Sequence, residues 1–400
     1  MKRKNIVLVV VDAARIDRVK NSKVFKNIAK KGIFFDEMIT ASPYTLASMN
    51  SFFTSTFGSV NGIDGYNKIG NLDENCKTIM DYLKDYGYTT RGDTVRLNLV
   101  PSEGFDKLTE HEEINEDINQ NNINLINLHS QIIDEQSQSI ESNPFFLYLH
   151  YSNIHNSLVN NVLKKYTDFD DEYFANRKQN SDNYNTYFQY AEEYVEKITQ
   201  KLISTNLSDD TILILMSDHG VSLGEKKGER AYGVFTYDYT IKTFAILVNE
   251  NLFGNGRVIS EITQTIDLMP TLLSILDIPL DLSKKKIQGK SLLPLLNEKK
   301  ANFWNIFGNK KFRKYAYCET GGLYGPWPSP SGPNVFCVRT HDWKLIYNSY
   351  PKTFELYNLK KDPNELNNCY GLGFKEESKL KINLEKELSS LRAESLMIDK

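Results

Sequence analysis

Asp12, His150 and the run Ser217-Asp218-His219-Gly220 each follow directly on a short apolar segment. Two carboxylates and an imidazole that meet in space suit a divalent cation, because clustered buried acids are costly without a counter-charge. A helix cap accounts for either aspartate alone, but Asp12 taken together with Asp218 and His219 favours the cation. Thr45 begins a second pattern. The stretch SPYTLASMNSFF at 42–53 opens a helix just after a Pro turn, with Thr45 near its N-cap. Backbone N–H groups and the helix dipole favour a phosphate or sulfate there, and a metal contact would lower the hydroxyl's pKa enough to make it a nucleophile. Alone, Thr45 is a plain N-cap; its partners elsewhere in the chain turn it toward chemistry.

The elements that must position these residues are four apolar runs: Ile6 to Val11, Phe145 to Leu149, Thr211 to Met216 and Thr243 to Val248. Strands buried on both faces have this appearance, and they mark a parallel sheet covered by helices. Ligands in such sheets bind outside the carboxyl ends of the strands, where Asp12, His150 and Asp218-His219 stand. Between the runs lie helical patterns, the clearest being Tyr187, Tyr190, Ala191, Tyr194, Val195, Ile198 and Leu202. The expected class is α/β: a mixed, mostly parallel central sheet with helices on both faces.

Glu110 to Asn143 and Ser157 to Asn185 look like insertions, as solvated helices or long loops. After Ile262 to Leu296 the Gly, Pro and aromatic content rises, and a small C-terminal α+β subdomain is expected over 306–400 beside a catalytic domain over 1–305. Its expected content is the strands Asn334 to Arg339, Trp343 to Tyr347 and Phe354 to Tyr357, then a helix from Glu376 to Leu391.

The chain has 400 residues, 40% hydrophobic and 25% charged, an ordinary globular-enzyme composition. Forty-eight Lys plus Arg against 51 Asp plus Glu give a net charge of −3, so no basic field favours nucleic acid or an anionic membrane. An anionic substrate must be met locally. The four cysteines form no CxxC pair, so they specify neither a zinc knuckle nor a disulfide framework. No apolar run approaches the ~20 residues of a membrane-spanning helix, so no integral membrane segment is expected. Lys2, Arg3 and Lys4 before Ile6 to Val11 imitate a signal peptide, but the apolar run falls short of the ~7–15 residues of a signal core. It reads better as a buried first strand, and the expected location is cytoplasmic.

The chain resembles the alkaline phosphatase superfamily, specifically its sulfatase-like branch. The resemblance rests on Asn5 to Asp12 with Arg15, on Thr45 with Ser48, Ser51 and Thr54, on Asn61-Gly62-Ile63, and on Ser217-Asp218-His219-Gly220 through Glu225. It continues through Thr265 to Leu273, Gly289-Lys290-Ser291-Leu292, Arg339-Thr340, Trp343 to Tyr347, and Glu355 to Leu359 with Asp362-Pro363 and Glu365. It implies one divalent ion (Mg, Mn, Zn or Ca) held by Asp12, Asp218 and His219, with the Thr45 oxygen as a further ligand and Arg15 orienting the shell from behind. It also implies that His155, and His150 less directly, protonate the leaving oxygen.

Departures from the family pattern shape the expected chemistry. The formylglycine motif C/S-x-P-x-R is here Thr45-Leu46-Ala47-Ser48-Met49, and a threonine cannot yield that aldehyde. Thr45 instead resembles the nucleophile of phosphodiesterase and phosphoglycerol-transferase relatives. The family's second aspartate is Ala13, which removes an anionic ligand and weakens the case for calcium against magnesium, manganese or zinc. Ala231-Tyr232-Gly233 replaces Gly-His-Gly, so a histidine of the two-metal relatives is missing. The expected activity is hydrolysis or transfer of a phosphate mono- or diester on a small molecule, glycan or glycerol. Sulfate-ester hydrolysis is the alternative, and a non-catalytic binder of a phospho- or sulfo-glycan is a third. Substrate selection is expected from the stretches Ser157 to Asn185 and Gly321 to Pro333, with Tyr324 and Trp327 able to stack on a sugar, and oligomeric state is left open.

Overall fold

The computed structural model describes residues 3–65, 71–112, 117–138, 143–158, 173, 175–226, 231–254, 256–284, 287–296, 312–321 and 332–396. Asn5–Val11 forms β1 at the heart of the main sheet, and every one of its side chains is buried. Parallel strands β5 (Phe145–Tyr151) and β6 (Thr211–Met216) flank it. Outward from β5 come β3 (Thr89–Thr94) and β4 (Lys107–Glu110), both parallel. On the other side lie β7 (Lys242–Val248), β2 (Gly32–Ile39) and β8 (Arg257–Ile259), with β9 (Thr263–Gln264) also pairing β2. The mixed, mostly parallel sheet is as expected, but the fourth apolar run, β7, is antiparallel to both neighbours. A strand buried on both faces gives the same uniform apolar run in either direction, so composition does not report its polarity.

Helices cover both faces. On one lie α1 (Lys23–Ala29), α4 (Ile118–Gln138) and α6 (Arg177–Ser204), which share a core with Val7, Val9 and Val11. On the other lie α2 (Thr45–Thr54), α3 (Ile79–Asp85) and α7 (Leu268–Ile275), packed on Ile6, Leu8 and Val10. The strict alternation along β1 thus divides its residues between two cores. The periodic Tyr187-to-Leu202 stripe is the buried face of α6, apart from Tyr190, which is only partly buried. The first expected insertion behaves differently: α4 buries Leu125, Ile132 and Ile133, spaced by seven and one, against α6 rather than standing in solvent. The second expected insertion is described only in part. A short helix, α5 (Asn153–Leu158), follows β5 at its start, and residues 159–172 and 174 lie outside the described set.

A separate antiparallel sheet, ordered β10 (Ala316–Thr320), β11 (Val335–Arg339), β12 (Trp343–Asn348) and β13 (Thr353–Asn358), carries α8 (Lys375–Leu396). β10 is an addition to the three strands expected there. The expected boundary between 305 and 306, and the loop with Tyr324 and Trp327, lie outside the described residues. The two sheets are joined by a buried charge cluster in which Lys344 and Arg339 face Asp238, with Lys344 also on Glu365 and Arg339 on Glu37. No helix among the described residues is long and apolar enough to cross a membrane.

Candidate active site

Strand register brings the first site residues together. Val11 lies opposite Tyr151 and Val10 opposite Met216, so β1, β5 and β6 end side by side and release Asp12, Ser152 and Ser217-Asp218 at one edge. The turn after β1 is held tightly. Ala13 has φ 63°, a left-handed conformation that costs an alanine roughly 1 kcal/mol. Its amide donates to Asp218 Oδ1 at 3.3 Å, the Ala14 amide donates to Ser217 Oγ at 3.0 Å, and the Tyr184 hydroxyl of α6 donates to the Ala13 carbonyl at 2.9 Å. After His219 the backbone passes so close to another segment that a Cβ on Gly220 would lie 2.2 Å from the Tyr239 carbonyl oxygen, which requires glycine there.

α2 delivers the hydroxyl. Tyr44 is the N-cap and makes no side-chain cap, so Thr45 is the first helical residue. Its Oγ1 lies 3.3 Å from Asp12 Oδ2 and 3.3 Å from His219 Nε2, aimed into the cluster rather than at its own helix. The plain N-cap assignment therefore gives way. Ser48, one turn on, anchors the helix by donating to the Asp218 carbonyl at 2.8 Å and pairing with the Thr40 hydroxyl at 2.8 Å.

Asp12, Asp218 and His219 are all buried. His219 Nδ1 donates to the Gly220 carbonyl at 2.8 Å, which leaves Nε2 as the lone-pair nitrogen facing Asp218 Oδ2 at 3.4 Å and Thr45. Asp12 Oδ1 and Asp218 Oδ2 are buried and accept no hydrogen bond among the described residues. Orphaned carboxylate oxygens beside a bare imidazole nitrogen are what a bound cation would satisfy, so Asp12, Thr45, Asp218 and His219 fit a divalent ion. Burial pushes the Asp218 carboxyl up, and the Asp12 charge adds to that. Burial pushes Asp12 up too, but the facing His155, His150 and His219 outweigh it and hold this carboxyl well below its ordinary value.

The two remaining histidines differ. His155, in α5, has its Nδ1 3.3 Å from Asp12 Oδ1 and its Nε2 3.2 Å from the Tyr232 hydroxyl, with 19% of its side chain exposed. It belongs with Asp12 and His219 to one group of clustered ligand atoms. His150 is fully buried: Nε2 donates to Asp12 Oδ2 at 3.2 Å, while Nδ1 takes the Thr94 hydroxyl at 3.0 Å. With both nitrogens engaged and no exposure, its position suits holding Asp12 rather than meeting a leaving group, as a correction to the sequence expectation.

Arg15 is likewise placed differently from the expectation. Its guanidinium binds Glu225 Oε1 at 2.6 Å, the Val221 carbonyl at 2.8 Å and Asp17, and it touches no metal-site carboxylate among the described residues. It braces the loop that follows His219. Of the other cations near the site in sequence, Lys242 pairs with Glu37, and Lys226 sits 4.7 Å from the Tyr237 ring centroid and 4.8 Å from that of Tyr357. Lys227 and Arg230 lie outside the described residues.

Sequence reasoning missed Thr94 and the role of Tyr232. Thr94 ends β3, whose sequence TTRGDT lacks the apolar run that marked the other strands. Tyr232 had a signal, since it occupies the place of the missing family histidine. Its ring stacks on His219 with centroids 5.0 Å apart, and it bonds His155.

Ala13 invites a direct test of the missing ligand. Aspartate tolerates left-handed backbone better than most residues, so Ala13→Asp should fold and add a carboxylate next to Asp218. The expected outcome is ~10-fold tighter calcium binding relative to magnesium by titration calorimetry, because calcium affinity follows ligand charge count. Unchanged selectivity would place residue 13 outside the ion's reach.

Known proteins confirm the fold and supply the family. Residues 4–278 match the family model described as Sulfatase, and residues 229–394 match N-sulphoglucosamine sulphohydrolase, C-terminal. N-acetylglucosamine-6-O-sulfatase of Bacteroides thetaiotaomicron is 32% identical over 184 residues, which is 44% of this chain and 28% of that protein. Human arylsulfatase K is 28% identical over 43% of this chain and 30% of its own length. The chain thus spans under a third of the length of these curated relatives. The structure of BT4656 in complex with its substrate D-glucosamine-2-N,6-O-disulfate superposes with TM-score 0.75 at 18% identity, covering 98% of this chain and 99% of that one. The phosphonate monoester hydrolase of Agrobacterium radiobacter gives TM-score 0.74 at 15% identity, over 98% and 96%. With a family model matched across more than half of its length, and the fold of its branch, the chain belongs to the sulfatase family of the alkaline phosphatase superfamily.

Proposed function

We propose that this protein is a metal-dependent hydrolase of a sulfate ester carried on a sugar, with Thr45 as nucleophile. The observation that supports it is the convergence of the Thr45 hydroxyl with Asp12, Asp218 and His219, two of whose carboxylate oxygens are buried and unbonded. A divalent ion held by these four residues would polarise the ester and lower the hydroxyl's pKa. Thr45 Oγ1, its proton released to solvent, then bonds to sulfur in line with the departing sugar oxygen. As the old S–O bond breaks, that oxygen takes a proton from His155, the site imidazole with solvent access. Water attacks the sulfo-threonine in a second step, gives its proton to His155 and releases sulfate, restoring Thr45. His150 holds Asp12 through both steps, and Arg15 braces the 221–225 loop through Glu225.

The sequence places a phosphate ester first, whereas the family and the sulfatase activities named for its relatives favour the sulfate ester. Thr45 remains the specific observation for phosphate. It lacks the second hydroxyl of an aldehyde hydrate, so water must clear the covalent ester, a step known reactions of phosphoryl groups also use. The test is turnover of matched nitrophenyl sulfate, phosphate monoester and phosphate diester by metal-stripped protein resupplied with magnesium, manganese, zinc or calcium. Sulfate-selective, metal-dependent turnover is the expected result. Selective cleavage of a phosphate ester would transfer the same mechanism to phosphorus, and cleavage of none of the three with any metal would contradict the enzyme reading.

A further inference from the structure

A second group of metal-ligating side chains lies apart from the site described above. Asp93 is the last residue but one of β3, His111 follows β4, and His129 projects from α4; all three are buried. One ligand atom from each lies within 4.8 Å of the others. Asp93 Oδ1 takes both inner ring nitrogens, His111 Nδ1 at 2.5 Å and His129 Nε2 at 3.0 Å, so the two imidazoles converge on a single oxygen. Asp93 Oδ2 accepts from Thr109 Oγ1 at 2.6 Å. The outer nitrogens end on hydroxyls: His111 Nε2 lies 3.0 Å from Ser152 Oγ, and His129 Nδ1 lies 2.6 Å from the Tyr194 hydroxyl.

The chain Ser152–His111–Asp93 has the connectivity of a nucleophile triad, but Ser152 is fully buried and no ester reaches it. Two imidazoles and a carboxylate with no solvent are instead a ligand set for a borderline divalent ion. We propose that Asp93, His111 and His129 form a second, structural metal site, for zinc above all, that ties α4 to the edge of the main sheet. Both imidazoles already present their inner nitrogens side by side at one carboxylate, as ligands of a shared ion do. On loading, each ring proton moves from the inner to the outer nitrogen, and the Ser152 and Tyr194 hydroxyls turn from donor to acceptor. A hydroxyl serves either state, and an outer N–H donated to an oxygen is the usual support of a ligating histidine. The ion would bridge segments 18 and 36 positions apart and hold the helix that sequence patterning assigned to an insertion. The proposal does not depend on the ester or on Thr45.

The experiment removes the first site with Asp12→Ala plus Asp218→Ala, strips the full-length protein of metal and titrates it with zinc, then with cobalt as a spectroscopic probe. Expected are one equivalent of bound zinc, a visible cobalt spectrum of low-coordinate type, and loss of both on adding His111→Gln. Adding His129→Cys in its place keeps a ligand, so a new thiolate-to-cobalt charge-transfer band is expected even if the glutamine variant misfolds. Absence of zinc binding and of a cobalt spectrum in the double variant would overturn the proposal and leave a hydrogen-bonded network. So would binding that survives His111→Gln, or cobalt binding in the His129→Cys protein without the charge-transfer band.

Discussion

Replacing Thr45 by alanine is expected to lower kcat by at least ~1,000-fold on whichever ester proves fastest, while the protein keeps its fold. The hydroxyl stands 3.3 Å from both Asp12 Oδ2 and His219 Nε2 and caps no helix, so its removal deletes the attacking atom with little structural loss. Thr45→Ser should retain measurable turnover, since it keeps the oxygen and loses only a methyl that helps hold one rotamer. The KM of the alanine variant should change far less than kcat if the hydroxyl acts in the chemical step and not in binding. Ser48 does not substitute: its hydroxyl is committed to the Asp218 carbonyl and to Thr40.

The second large effect has opposite signs for activity and stability. Asp218→Asn should cost at least ~1,000-fold in turnover through loss of a charged ligand, yet raise the stability of the metal-free protein by ~1–3 kcal/mol. Asp218 Oδ1 accepts from the His219 amide at 2.9 Å and from the Ala13 amide at 3.3 Å, and an asparagine oxygen keeps both bonds. Asp218 Oδ2 accepts nothing among the described residues and faces the Asp12 charge across a buried site. An amide there removes the repulsion and can donate to the His219 side. Thermal unfolding in chelator and in saturating metal separates the terms: the variant should be more stable than the parent in the first and gain less in the second. A variant less stable in chelator would mean that Asp218 is satisfied without an ion.

The candidate site was legible because its parts follow uniformly apolar strands, the one context in which a lone Asp or His stands out. Asp12, Asp218 and His219 carry that signal, and β1, β5 and β6 bring them together by register. Polarity hid β3: its Thr90, Asp93 and Thr94 are buried but bonded to Asp106, His111 and His150, so a polar strand is stable there without apolar periodicity. For the same reason the Asp93, His111 and His129 cluster had no local trace, its members meeting only once β3, β4 and α4 pack. α4 itself was assigned to solvent because Asn, Gln and Glu dominate its composition, although Leu125, Ile132 and Ile133 supply a buried face. Arg15 and His150 stand out in the sequence beside Asp12 and the strand end, but sequence order does not show that Glu225 and Thr94 take their polar atoms.

The account turns on a covalent ester at Thr45, and the most direct measurement is mass spectrometry of protein quenched in acid during turnover of the best ester. The peptide that contains Thr45 should carry the mass of one sulfo or phospho group, the label should map to Thr45 by fragmentation, and it should vanish on completion of turnover. An aldehyde anywhere in 42–51, or full turnover with Thr45 unlabelled and dispensable, would contradict the account.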